Sequence, residues 1–346
     1  MAALLRHRTR TLLTGVLATL TLCIAVAPPA AAQSTLNRVD AAAGWLARQM
    51  VDGERFEVVF DGVAYPDQGL TLDAIFAFAA AKVADTNAAS ATAWLAQPAV
   101  TTGYIGDGTE AYAGATAKLA LGVQVRGLNP AAFGGVDLIA RLHTLMAPTG
   151  RFTDRSAFGD FSNMFSQSFA VLAFDRAGEA PPAAVAFLAG ARCPDGGFPL
   201  LFAQATCVSD VDATALAIQA LLAADRPLVA QAAARWLVSV QADDGSFTAN
   251  GVANANSTGL AAQALAAAGR AVPWLHARQY LTSLQQTCTA PAVDRGAIAY
   301  TDGGYDPSTA TRATAQAVSG LAGVGFATLS AAGSRPAAPT LACPHR

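Results

Sequence analysis

Apolar positions along this chain follow two helical patterns that alternate. In the first, a Thr or its equivalent opens a segment that is apolar nearly all round. Thr214–Leu221, Thr258–Leu265 and Thr314–Leu321 are clear copies, and Thr71–Phe78, Gly114–Leu121 and Gln167–Phe174 are weaker ones. Such a pattern predicts a helix covered on every side. In the second, an aromatic or Leu precedes an aliphatic residue: Trp45-Leu46, Trp94-Leu95, Phe187-Leu188, Trp236-Leu237 and Tyr280-Leu281, with Ile139–Leu142 as a degenerate copy. Arg48, Gln49, Arg235, Gln241, Arg278 and Gln279 accompany these, which predicts helices with one face in solvent. Between the helices lie turns of an acidic residue or Thr, then Gly, then an aromatic, as in Asp195-Gly196-Gly197-Phe198, Asp244-Gly245-Ser246-Phe247 and Asp302-Gly303-Gly304-Tyr305. Glycine there supplies positive φ and ends the preceding helix.

Six buried-type helices thus alternate with six amphipathic ones, at a period of roughly 40–55 residues that suits paired-helix repeats. An open solenoid would leave two raw ends, which usually need polar capping repeats. Here the chain opens with a lone amphipathic helix, Asp40–Met50, and finishes with a lone buried-type helix, Thr311–Val324. These two can complete a pair. The expected fold is therefore all-α, a closed (α/α)6 toroid of six inner and six outer helices. Inner helices should begin near residues 70, 110, 164, 211, 256 and 311, and the first helix should touch the last.

Composition narrows the function classes. Hydrophobic residues make up 53% and charged residues 13%, which excludes a disordered chain. Lys+Arg number 22 against 24 for Asp+Glu, so there is no basic excess for nucleic acid. The N-terminus reads as a signal peptide over residues 1–32. Arg6, Arg8 and Arg10 precede the apolar stretch Leu12–Val26, then Pro28-Pro29 and the small residues Ala30-Ala31-Ala32. An uncleaved anchor and a lipoprotein through Cys23 are weaker alternatives, since the apolar run is short and Leu22 sits where a small residue is expected. Cleavage would remove three arginines and take the net charge from −2 to −5, leaving a secreted, extracellular protein with no stable membrane insertion. Cys193, Cys207, Cys288 and Cys343 then remain, an even number that suits an oxidising compartment. Three connectivities are open. Sequence proximity favours Cys193 with Cys207, and Cys288 with Cys343, the latter tying the tail 331–346 onto a toroid domain over 33–330. A zinc site would need CxxC pairs or a nearby histidine cluster, and neither is present; His345 stands two residues from Cys343, but alone and in the terminal tail.

Gln241-Ala-Asp-Asp-Gly-Ser-Phe247 resembles the QW motif of squalene–hopene-type cyclases, Gln-x-x-Asp-Gly-x-Trp, with Phe247 in place of Trp. With the Thr-Ala helices, residues 36–326 resemble the prenyltransferase/terpenoid-cyclase α/α-toroid superfamily, marked by prenyltransferase and squalene-oxidase repeats. The same fold serves protein prenyltransferase β-subunits, complement thioester domains and cobalamin carriers, so the resemblance implies a fold and leaves activity open. No cysteine here has thioester-type neighbours, and His143, His276 and His345 lie in no zinc-ligand order. Class II cyclases carry Asp-x-Asp-Asp, whose middle carboxyl protonates an alkene or epoxide. Asp210-Val211-Asp212-Ala213 matches its first two carboxylates, with Asp212 as the donor, and departs at Ala213. If the chain is cyclase-like, Asp210 and Asp212 would be its catalytic residues.

Aligning the six inner segments gives two polar rings. Four residues before each reference position stand Asp67, Glu110, Asn163, Asp210, Asn254 and Ala310, which read as helix N-caps. Two residues before stand Gly69, Tyr112, Phe165, Asp212, Asn256 and Arg312. Parallel inner helices would bring these to one rim, so Tyr112, Asp212, Asn256 and Arg312 are the candidate ligand contacts, with Asp212 expected to stay ionised, paired with Arg312 or capped by backbone N–H groups. The expected function is a non-catalytic binding protein for a small or medium organic ligand, tetrapyrrole-like or isoprenoid, with no cofactor or metal. A degenerate class II cyclase or a carbohydrate-active protein is one alternative and a partner-binding scaffold another. A partner chain could complete the site, because nothing after Thr328 could form the ligand-clamping β-domain of the cobalamin carriers.

Overall fold

The computed structural model describes residues 33–344 apart from residue 179; the expected signal peptide and His345 lie outside the described residues. Thirteen α-helices account for the architecture. Among the described residues six are buried along most of their length: α2 (Gln68–Ala81), α5 (Ala113–Val125), α7 (Met164–Arg176), α9 (Val211–Ala223), α11 (Ala255–Ala267) and α13 (Pro307–Ala322). Each packs on the next in that order, and α13 packs back on α2, which closes the ring.

Outer helices fill the grooves between them. Helix α1 (Arg38–Arg48) lies against α13 and α2, as expected of the first and last helices. Then come α6 (Leu138–Thr144), α8 (Pro182–Gly190), α10 (Pro227–Ser239) and α12 (Ala271–Ser283), one per groove. The groove between α2 and α5 holds two, α3 (Asp85–Leu95) and α4 (Pro98–Ile105). Among the described residues no helix is long and apolar enough to cross a membrane.

The threonine that opens four of the six inner repeats has a specific task. The buried backbone N–H of the turn aromatic donates to its hydroxyl, from Phe56 to Thr71 (3.0 Å), Phe198 to Thr214 (2.8 Å) and Phe247 to Thr258 (2.9 Å); at Thr314 the donor is Ile298 (2.9 Å), not the expected aromatic Tyr305. In the α7 repeat the Gln167 carbonyl oxygen takes that place for Phe152, at 3.0 Å. A buried N–H left without an acceptor costs about 1–3 kcal/mol, so these bonds fix each turn over its own inner helix.

Glutamines tie three of the turns to the next outer helix, Gln167 among them through the Gly150 and Ala184 carbonyls. The amide of Gln241 donates to the Gly245 and Pro273 carbonyls at 3.0 and 2.9 Å, and that of Gln285 to Gly296 and Arg38 at 3.1 and 2.8 Å. Gly245, at φ +88°, could not carry a side chain: a Cβ there would lie 2.2 Å from the His276 carbonyl oxygen.

After α13 the chain turns across the C-terminal ends of the inner helices. The Gln263 amide donates to the Val324 carbonyl (2.8 Å), and the Phe326 N–H donates to Gln219 Oε1 (2.9 Å). Arg176 donates to the Phe326 and Ala327 carbonyls, both at 3.0 Å. Ala331 N–H reaches the Val125 carbonyl at 2.8 Å, and Arg335 N–H the Lys82 carbonyl at 3.0 Å. One segment thus gathers the ends of α2, α5, α7, α9 and α11, which requires those helices to run parallel. The chain continues past α1, where Thr340–Leu341 pairs in parallel with Ser34–Thr35. Both expected disulfides are formed: Cys193–Cys207 with Cα atoms 5.5 Å apart, and Cys288–Cys343 at 5.6 Å.

Candidate functional site

Because the inner helices run parallel, their N-termini share one rim. Asp67, Asn163, Asp210 and Asn254 cap α2, α7, α9 and α11 through side-chain bonds to backbone N–H groups. The other two expected caps are corrected. Helix α13 starts a turn earlier and is capped by Asp306, which leaves Ala310 inside it. At α5 the N-cap position is Tyr112, whose side chain makes no capping bond, and Asp154 supplies the acceptor for the Ala113 N–H at 2.7 Å. Glu110 instead accepts from the Ala157 N–H at 2.9 Å.

The rim opens into a cavity of about 130 Å³ on the toroid axis, to which all six inner helices contribute. Phe326 closes its floor, edge-on to Phe76 (5.1 Å) and Phe169 (5.7 Å). Phe165 adds a fourth ring to the wall. On one side Lys118 and Asp73 form an ion pair at 2.6 Å, and Gln316 reaches the other Asp73 oxygen at 3.4 Å. On another, Asp212 and Asn256 line the wall from the first turns of α9 and α11.

Asp212 and Asn256 differ from their neighbours in one respect. Each has its Oδ1 atom buried with no hydrogen-bond partner. Burial pushes the Asp212 carboxyl up to about 6; the Ser257 hydroxyl opposes that rise and the Asp210 charge adds to it. The expected pairing of Asp212 with Arg312 is overturned. Helix α11 stands between α9 and α13, and Arg312 turns the other way, bonding Asp67 at the closing seam at 2.7 Å. Arg312 therefore does not hold Asp212 in its ionised form.

Of the four expected contacts, Asp212 and Asn256 line the cavity, while Arg312 and Tyr112 do not. The Tyr112 hydroxyl lies 3.5 Å from Glu110 at the rim. Asp73, Lys118, Gln316 and Phe326 also line it, and the aligned ring does not include them. The first three sit further along their helices than the aligned ring, and Phe326 follows the last helix. Ala213, at the place of the third carboxylate, is fully buried and donates its N–H to the Asp210 cap at 2.8 Å, so no second acid stands beside Asp212 on the helix. Among the described residues no three His, Cys, Asp or Glu side chains converge as a metal-ligand set.

Around the mouth, the segments leading into the inner helices expose apolar side chains. The hairpin Glu57–Pro66 shows Val59 and Phe60 at 68% and 67% exposure, and the loop before α7 shows Phe158 and Phe161 at 79% and 68%. The disulfide-closed loop before α9 exposes Leu201 and Val208.

No protein-family model and no curated protein matches the sequence. Solved structures do match. A protein from Actinoplanes aligns at a TM-score of 0.60 and 16% identity, over 82% of this chain and 97% of its own. The type II terpene cyclase MstE from Scytonema aligns at 0.59 and 16%, over 83% and 97%. Unsaturated glucuronyl hydrolase from Bacillus sp. GL1 aligns at 0.58 and 13%, over 82% and 95%. At these identities the likeness is one of fold, and the chain is an α/α toroid.

Proposed function

We propose that this is an exported binding protein that takes a small or medium organic ligand at the N-terminal mouth of the toroid and does not transform it. The observation that carries this reading is the cavity: about 130 Å³, floored by Phe326, with unpartnered oxygens of Asp212 and Asn256 in its wall. Sites that enclose a drug-sized ligand run to roughly 300–1,000 Å³. This cavity fits one head group, while the body of the ligand rests on the apolar rim. The same rim would seat a partner chain over a bound ligand. Two disulfides and the basic-then-apolar leader support export.

Asp212 favours a second reading, that of a type II cyclase-like acid. It is a largely buried carboxyl titrating near 6 in a cavity with four phenylalanines, and MstE, a neighbour in fold, is described with geranylgeranyl dihydroxybenzoate as its substrate. Against it stand the cavity's size, the charged Asp73–Lys118 pair in its wall, and Ala213 at the third carboxylate position. Incubation with squalene and with geranylgeranyl diphosphate, followed by product analysis, separates the two. The binding reading expects both recovered unchanged; a cyclised product that disappears in Asp212→Asn would replace it with the second.

A further inference from the structure

We infer that the cavity is a receptor for an organic cation, a primary ammonium or amidinium head group, held between Asp212 and Asn256 above the phenylalanine floor. The inference rests on the binding reading and names its ligand class.

Charge within the cavity is the first argument. Lys118 and Asp73 neutralise one another at 2.6 Å, and the Lys118 ammonium also donates to the Gly69 carbonyl at 3.0 Å. Asp212 lines the same space without an ion-pair partner, and Arg312, the partner expected from the aligned ring, bonds Asp67. With Asp212 ionised, the enclosed groups sum to one negative charge, which a monocation cancels. An anion would meet that charge directly, and a neutral apolar group would leave it buried and unpaired, at high cost.

Hydrogen bonding is the second. The two unpartnered buried oxygens, Asp212 Oδ1 and Asn256 Oδ1, stand on adjacent helices and are both acceptors. A ligand that satisfies both brings at least two N–H donors on one atom or one planar group. Ammonium and amidinium do so, whereas an ether, ketone or carboxylate does not. Aromatic rings are the third. Phe165, Phe169 and Phe326 line the space beside those acceptors, and phenyl faces attract cations within about 6 Å. The volume, about 130 Å³, suits a head group with a few carbons.

Protonation follows from the same geometry. The charged groups around Asp212 are Asp210 at the head of its own helix, whose charge acts on it, and Asp73 on α2 and Lys118 on α5, which line the same cavity. The lining from α7, α11 and α13 is phenylalanine, amide, hydroxyl and aliphatic. A bound cation would stabilise the ionised carboxyl and release its proton, so binding is strongest above pH 6 and weakens on acidification.

Isothermal titration with propylammonium, propan-1-ol and propionamide tests this on the disulfide-intact protein. At pH 7.5 propylammonium should bind at least tenfold more tightly than either neutral analogue, with affinity falling about tenfold per pH unit below pH 6. Asp212→Asn should abolish that preference. The pH profile of the wild-type protein gives the answer even if the variant is poorly folded. Equal binding of propionamide, a flat pH profile, or no propylammonium binding at millimolar concentration overturns the cation assignment. The binding reading fails separately, if native mass spectrometry of the exported protein finds no bound organic molecule.

Discussion

Asp212 is where folding and function pull in opposite directions. Its carboxyl has an ordinary value of 3.8 and is pushed up to about 6 in the folded chain. Between those two values the folded state holds a proton that the unfolded state has released. Stability therefore falls as pH rises from about 4 to 6 and is level above that, by about 3 kcal/mol in all. Asp212→Asn removes the buried charge, so the variant should be more stable than wild type at pH 7 and equal to it near pH 4, as read from urea midpoints. Thr258→Val tests the opposite kind of residue. It deletes the acceptor of the buried Phe247 N–H and should cost about 1–3 kcal/mol, with Thr258→Ser close to wild type. The threonines were legible as a repeat because they recur at the heads of apolar segments. Their bonding role was not, since it depends on a turn N–H 11 to 16 residues away in sequence.

Among the elements, the inner helices were readable because a helix covered on all sides leaves an unbroken apolar pattern. α13 begins a turn before its apolar pattern does, because its first turn, Pro307-Ser308-Thr309, is polar and reads as a loop; Ala310 therefore lies inside the helix and not in the cap ring. Helix α4 escaped because it is 8 residues long and opens on Pro98. The closing segment beyond Gly323 carries no periodicity, and buried amides on the inner helices, not its own composition, hold it in place. Phe326→Ala would remove the cavity floor and two edge-on ring contacts. A loss of about 3–5 kcal/mol is expected, with a cavity large enough to take up an apolar probe that wild type excludes. Where α11 crosses α13, Gly259 and Gly320 bring the backbones together, and a Cβ on Gly320 would stand 2.4 Å from the Gly259 carbonyl oxygen. Gly320→Val should therefore force the seam apart and lower the melting temperature, whereas the same change at exposed Gly333, itself at positive φ but with nothing within 4 Å, should cost far less.

At the scale of the whole molecule, ring closure brings α13 back to α2, and Cys288–Cys343 fastens the tail that runs past α1. That disulfide closes a loop with its cysteines 55 positions apart, so the chain-entropy model assigns it about 4 kcal/mol. Replacing both cysteines by Ser should lower the unfolding midpoint by a corresponding amount. Closure was legible from the unpaired first and last helices, but the direction of Arg312 was not. Which way a rim side chain turns depends on which helix lies between, and α11 separates it from Asp212. The ring geometry leaves Asp212 and Asn256 with unpartnered oxygens over an aromatic floor, and that pair is the core of the functional account. Native mass spectrometry of the disulfide-intact protein beside its Asp212→Asn variant probes that pair. A one-to-one complex with an organic molecule is expected in the wild type and the bare mass in the variant. Equal ligand loads in both, or a ligand-free wild type, would contradict it.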